Sequence, residues 1–154
     1  MLTSRQRGRV RYVIGIDAGG TKTVGLLGDE SHARTRLERS FDPGGRAVAC
    51  LSVRSSFDAC LTALALPRGS HVLMSALTIP DMWRIVDAHG LVPRPVDVEP
   101  DSLAPSSAQW RRALTRQSRM AVLAHLFGSR TTLAPLTALR AQAPHLVLVE
   151  DAAQ

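Results

Sequence analysis

The sequence predicts an α/β fold, a mostly parallel sheet with helices on both faces. Three observations carry this expectation. From about residue 47 onward, short aliphatic runs alternate with segments of helical spacing. The runs are apolar throughout rather than alternating, as strands buried on both faces are. Polar residues capable of chemistry follow directly after the runs, where open α/β sheets place their ligands. The length of 154 residues, 45% of them hydrophobic, suits one domain with an ordinary core.

Taken in order, Tyr12-Val13-Ile14-Gly15-Ile16 reads as a strand entering a Gly-rich turn. Residues 29–39 are polar and charged and read either as a linker or as an exposed helix. Residues 47–53 read as a strand, after which Phe57, Cys60, Leu61 and Leu64 fall at helical spacing. Pro67-Arg68-Gly69-Ser70 makes a turn before the strand His71-Val72-Leu73-Met74. Pro80 suits the first turn of a helix whose apolar face is Met82, Ile85, Val86 and His89, and Gly90 ends it. Residues 91–98 are extended, and their two prolines suggest an edge or an irregular strand. A short helix over residues 106–115 precedes a strand at 120–124, and a helix over 131–143 precedes the last strand, Leu146-Val147-Leu148-Val149. Strands alternating with helices imply crossover connections and a parallel sheet covered on both sides.

Charge and composition exclude several classes. The formal net charge is +6, but Arg5, Arg7, Arg9 and Arg11 form a basic tail and the other arginines are mixed with acids. No aromatic residues are interleaved for base stacking, which argues against nucleic-acid binding. No run approaches the ~18 apolar residues of a membrane span, and the apolar stretch at 12–16 is too short for a signal peptide. The expectation is a cytoplasmic protein with Cys50 and Cys60 as buried free thiols and no metal site.

Five polar groups fall at the expected strand ends: Ser55-Ser56, Ser75 with Thr78, Asp97, His125 and Asp151. Each has an ordinary explanation. Ser55-Ser56 suit a helix N-cap as well as a phosphate, since open N–H groups and the helix dipole favour both. Thr78 suits a cap for the helix at Pro80, Asp97 a turn, and His125 a satisfied core histidine. Asp151 is the hardest to dismiss, because an acid after four aliphatic residues needs a partner if buried. Asp151 and Gln154, three residues apart, offer a carboxylate and an amide to one flat, nitrogen-containing ligand.

Arg54-Ser55-Ser56-Phe57-Asp58-Ala59, Val72-Leu73-Met74-Ser75-Ala76-Leu77-Thr78, Gly90 through Pro95-Val96-Asp97, His125-Leu126-Phe127-Gly128 and Glu150-Asp151-Ala152-Ala153-Gln154 come in that order. In this series the stretch from about residue 36 to 154 resembles the N-terminal part of the large domain of the DegT/StrS family. These are pyridoxal-phosphate (PLP) aminotransferases that act on nucleotide-linked keto-sugars, with the aspartate aminotransferase-like fold, PLP fold type I. The resemblance implies PLP as cofactor. Ser56 and Phe57 would give backbone N–H groups to its phosphate, with Thr78 in the same cofactor-binding set. Asp151 would pair with the pyridine nitrogen so that the ring acts as an electron sink. Gln154 would bond the ring hydroxyl, and His125 would support the pocket floor. The chain departs from the family in having Ser56-Phe57 for the usual Gly-Thr, and Ile79 where an aromatic often stacks on the ring. The family further implies a homodimer, a nucleotide-sugar substrate and an amino-acid donor, with no nucleic acid and no membrane.

Transamination also needs a lysine amine to hold PLP as a Schiff base. In the family that lysine lies beyond the aspartate motif, and here the single lysine is Lys22. Residues 36–154 are therefore expected to be a truncated large domain, inactive alone, with no catalytic residue of their own. The preceding stretch, residues 1–35, holds Lys22 within Tyr12-Val13-Ile14-Gly15-Ile16-Asp17-Ala18-Gly19-Gly20-Thr21-Lys22-Thr23. That segment resembles the first phosphate-binding hairpin of sugar kinases and BadF-type ATPases of the actin-like superfamily, where glycines let a turn approach phosphates. That resemblance implies, as an alternative, an ATP-binding kinase or ATPase, while the lack of a Schiff-base lysine leaves a non-catalytic α/β module as a further alternative.

Overall fold

The computed structural model describes residues 11–14, 35–36, 38–40, 42–44, 47–127 and 131–152. The elements, in chain order, are β1 (Arg11–Ile14), α1 (Val53–Leu64), β2 (His71–Ser75), α2 (Pro80–Ala88), β3 (Val92–Val96), α3 (Ser107–Ala113), β4 (Ser118–Ala124), α4 (Ala134–Gln142) and β5 (Val147–Asp151). The strands form one five-stranded sheet in the order β1-β5-β4-β2-β3. Every pairing is parallel. The α/β class and the alternation expected from sequence are thus both present.

The order of the strands dictates the layers. From β2 the chain moves outward to β3, then jumps back over β2 to β4 and continues to β5. With crossovers of one hand, that reversal puts the helices made before and after it on opposite faces. The core divides accordingly. Phe57 and Leu61 of α1 and Met82 and Val86 of α2 pack on Val72 and Met74, continuing over Met120, Val122 and Val149. On the other face Trp110 of α3 and Leu136 and Leu139 of α4 pack on Leu73, Ala121 and Leu123. Residues of one strand alternate between these two cores, as the pleat requires.

One expected strand is absent. Residues 47–52 are irregular, and a helix starts at Val53. The reason is local: Ser52 is the N-cap, its side chain accepting from the Ser55 N–H at 3.1 Å while Ser55 Oγ accepts from the Ser52 N–H at 2.9 Å. That reciprocal cap satisfies two of the donors a helix start leaves open. Val48 and Leu51, at 68% and 103% exposure, have no sheet edge to bury them. The thiols also differ from expectation, since Cys50 is exposed and Cys60 half-buried, with burial raising the Cys60 pKa.

β3 is the predicted edge. The Val92 N–H bonds the Ser70 carbonyl, so even-numbered N–H groups face β2 and Pro93 and Pro95 fall at outward positions that need no inward donor. Gly90 stops α2 with φ +68°, and an added Cβ would meet the Arg68 guanidinium at 2.6–2.7 Å. The Gly-rich segment with Asp17 and Lys22 lies outside the described residues. Its leading strand, β1, pairs with β5. Among the described residues no helix is long and apolar enough to cross a membrane.

The amino edge of the sheet is tied by polar contacts. His71 Nδ1 lies 2.7 Å from Thr115 Oγ1, and the Thr115 N–H donates to Ser118 Oγ at 3.0 Å. His145 Nε2 donates to the Ser118 carbonyl at 3.1 Å. Desolvation, and secondly the nearby Arg94 guanidinium, hold the His71 pKa below its ordinary value of 6.5. The unfolded chain therefore binds the His71 proton more readily than the fold does. The stability linked to His71 is fully present above pH 6.5 and falls as pH drops through 6.5 toward the lowered folded value. Denaturation of the wild type and of His71→Asn across pH 5–7 checks this: the wild type should lose more stability on acidification than the variant.

Candidate functional site

Four segments meet the carboxyl edge of the sheet: the entrance of α1, the loop after β2, the loop after β4 and the tip of β5. The crevice between β2 and β4 is where the connections diverge, β2 leading outward to β3 and β4 inward to β5. Open α/β sheets bind ligands at such reversals, because the loops separate there.

α1 reaches this edge with its N-terminal end. Arg54 in its first turn bonds Asp81 Oδ2 at 3.3 Å, and Asp81 lies in the first turn of α2, just past β2. Asp81 Oδ1 also takes Arg84 at 3.1 Å. Further along both helices, His89 Nε2 meets Asp58 Oδ1 at 2.8 Å, so α1 and α2 run side by side in the same direction. The positive ends of two helix dipoles therefore point to one part of the edge.

The cap decides which amides that end offers. Ser52 and Ser55 use their N–H groups on each other's hydroxyls. The Ser56 N–H is given to the Ser52 carbonyl at 2.9 Å, and Phe57, at 0% exposure, points into the core. Helix geometry leaves the amides of Val53 and Arg54 without intrahelical carbonyls. The open amides thus lie a few residues before Ser56 and Phe57, because the N-cap is Ser52.

The other sequence candidates separate by face. Thr78 is half-buried in the loop after β2. It does not cap α2, whose N-cap is Ile79 with no side-chain bond. Asp97 is exposed after the edge strand β3, one strand further out. Along β5, Val147 and Val149 belong to the α1/α2 core and Leu148 to the other. Alternation therefore sends Asp151 to the α1/α2 face and Glu150 to the α3/α4 face. Asp151 is half-buried. Gln154 lies outside the described residues.

His125, 8% exposed, belongs with Glu150. Its Nε2 lies 2.7 Å from Glu150 Oε1, and its Nδ1 accepts from the Thr131 N–H at 3.1 Å. Its own N–H donates to the Asp151 carbonyl at 2.9 Å. The structure therefore brings the α1 entrance and Asp151 to one face, and sets the His125 ring behind them on the other. Glu150 was not among the sequence candidates. The available signal was the pair of adjacent acids, which a strand must send to opposite faces. Chemically, a carboxylate and a helix N-terminus on one face suit a ligand with a basic ring nitrogen at one end and an anion at the other.

The model of the DegT/DnrJ/EryC1/StrS aminotransferase family matches residues 27–154. A curated relative, L-glutamine:2-deoxy-scyllo-inosose aminotransferase of Micromonospora echinospora, is 33% identical over 110 residues, covering 71% of this chain and 26% of that protein. The erythromycin biosynthesis sensory transduction protein EryC1 of Saccharopolyspora erythraea is 36% identical over 134 residues, covering 84% of this chain and 35% of that protein. The chain thus spans between a quarter and about a third of these relatives' length. Among solved structures, DesV of S. venezuelae is similar with TM-score 0.58 and 25% identity, over 63% of this chain and 26% of that one. The E. coli GDP-4-keto-6-deoxy-D-mannose-3-dehydratase with bound hydrated PLP aligns with TM-score 0.67 at 17% identity, over 82% of this chain and 34% of that one. These neighbours show the fold to be the PLP type I α/β fold.

The cap at the α1 entrance is open to direct measurement. Ser52→Ala should destabilise the fold by about 1 kcal/mol, whereas Ser52→Gly should cost only a few tenths. Equal losses in urea denaturation of the two variants would remove the capping role.

Proposed function

The chain belongs to the DegT/DnrJ/EryC1/StrS aminotransferase family, and from that we propose that residues 36–154 form the cofactor-cradling part of a PLP-dependent sugar aminotransferase. The reaction of the whole enzyme is the conversion of the ketone of a nucleotide-linked sugar into an amine, with an amino acid as donor. It works as a cytoplasmic homodimer, and residues 1–35 are a leading segment whose strand β1 joins the same sheet beside β5. The observation that supports this reading best is the half-buried Asp151 at the tip of β5, on the same sheet face as the N-terminal end of α1.

The donor set of this face fits PLP. Asp151 would hold a proton on the pyridine nitrogen, since a partly buried carboxylate stabilises a cation at hydrogen-bond distance. The first turn of α1, with the open amides of Val53 and Arg54 and with Ser56 and Phe57 just behind, would take the phosphate against the helix dipole. Thr78, in the loop after β2, borders the same crevice, and Gln154 would reach the ring hydroxyl. His125 would brace Asp151 from the neighbouring strand through its backbone bond. When bound, the protonated ring supplies an electron sink for bond breaking at the substrate's amine-bearing carbon.

Titration of the full chain with PLP, read by absorbance and ligand fluorescence, tests the assignment. Asp151→Asn should weaken binding about tenfold or more, the scale of a lost charge-assisted hydrogen bond. Asp97→Asn, on an exposed residue one strand beyond the crevice, and Lys22→Ala, in the Gly-rich segment, should leave it unchanged. Equal affinity of Asp151→Asn and wild type would overturn the cofactor reading.

A further inference from the structure

We infer that His125 is a positioning residue that sorts the adjacent acids Glu150 and Asp151 to opposite faces of the sheet, and so fixes which carboxylate meets the ligand. The identity of that ligand rests on the cofactor reading above, whereas the sorting itself does not.

A strand presents successive side chains to opposite faces, so a slip of one residue exchanges the faces of all of them. In most strands such a slip buries polar groups and is strongly disfavoured. At the tip of β5 the cost is small, because the slip only replaces one acid by another: Glu150 would enter the α1/α2 face in place of Asp151. The carboxylate there would then be one methylene longer, and the distance to a ring nitrogen would change. The aliphatic part of β5 does not by itself distinguish the two acids at its end.

His125 does. β4 and β5 pair with Leu123 opposite Glu150 and Ala124 opposite Asp151, and His125 is the next residue. Its backbone N–H donates to the Asp151 carbonyl at 2.9 Å, while its ring reaches the Glu150 carboxylate at 2.7 Å. The ring's other nitrogen accepts from the Thr131 N–H at 3.1 Å. That contact settles the tautomer: Nδ1 is an acceptor, so Nε2 carries the proton and donates it to Glu150. One residue therefore grips the side chain of one acid and the main chain of the next. It does so from a site only 8% exposed, where water is largely excluded from competing for these contacts. In a slipped register the shorter Asp151 side chain would be offered to the ring and the 2.7 Å contact would be lost.

The test uses the full chain with isotope-labelled histidine and has readouts that need no cofactor. Side-chain nitrogen NMR should show His125 as the Nε2–H tautomer. Glu150→Ala should speed exchange of the His125 amide about tenfold and weaken PLP binding by a similar factor, the scale of one lost charge-assisted bond. Glu150→Gln keeps the accepting oxygen and should restore both to within about threefold of wild type. Should Glu150→Ala fail to fold, His125→Asn serves instead: it keeps an acceptor for Thr131 but is too short for Glu150, and should weaken PLP binding as much. An Nδ1–H tautomer, or amide exchange and PLP binding indifferent to the Glu150 contact, would overturn the sorting role. Wild-type chain that does not bind PLP, with the exchange effect intact, would overturn the cofactor reading alone and leave the sorting standing.

Discussion

The parallel pairing of β4 with β5 is the constraint on which the carboxyl edge depends. It places Ala124 opposite Asp151 and lets His125 continue the ladder by one further bond. Without that register, the loop after β4 and the tip of β5 would have no fixed relation, and neither would the residues they carry. The pairing is held by the two cores it separates. Val122 and Val149 lie on one side, and Leu123 and Leu148 on the other. The apolar middle holds the two strands together between the cores, and the polar contacts of His125 at the tip fix which acid faces which side.

The second determinant is the parallel run of α1 and α2. Two contacts between them, the Arg54–Asp81 ion pair and the His89–Asp58 hydrogen bond, are partly exposed and contribute little to stability. Their value is directional. They bring both N-terminal ends to the edge where β2 and β5 finish, so that the helix dipoles and the carboxylate of Asp151 lie on one face. Phe57, Leu61, Met82 and Val86 supply the packing energy beneath.

Much of the fold was legible because its strands are short aliphatic runs and its helices keep their apolar spacing. β2 to β5 and the helices α1 to α4 fall where those patterns put them. The strand expected at 47–53 was not legible, because Ala, Val and Leu in that stretch resemble a strand while the deciding feature is a pair of serines three apart. With Ser52 rather than Ser55 or Ser56 as cap, the open amides also move toward the chain's start. Asp151 was legible as an acid at a strand end. The role of Glu150 was not, since its partner His125 is 25 residues away and comes near only through sheet pairing. Ser52–Ser55 and His125–Glu150 illustrate the same divide: the first is a contact within one turn of chain, readable in principle, and the second exists only once the sheet has formed.

The prolines of β3 give the sheet a polarity of growth. A strand arriving beside β3 would find outward carbonyls at Pro93 and Pro95 but no N–H between them, so its own carbonyls would go unanswered. The opposite margin, at β1, carries no such interruption in Arg11–Ile14. Growth of the sheet beyond β3, by contrast, is disfavoured, because each incoming carbonyl that met Pro93 or Pro95 would lose its partner.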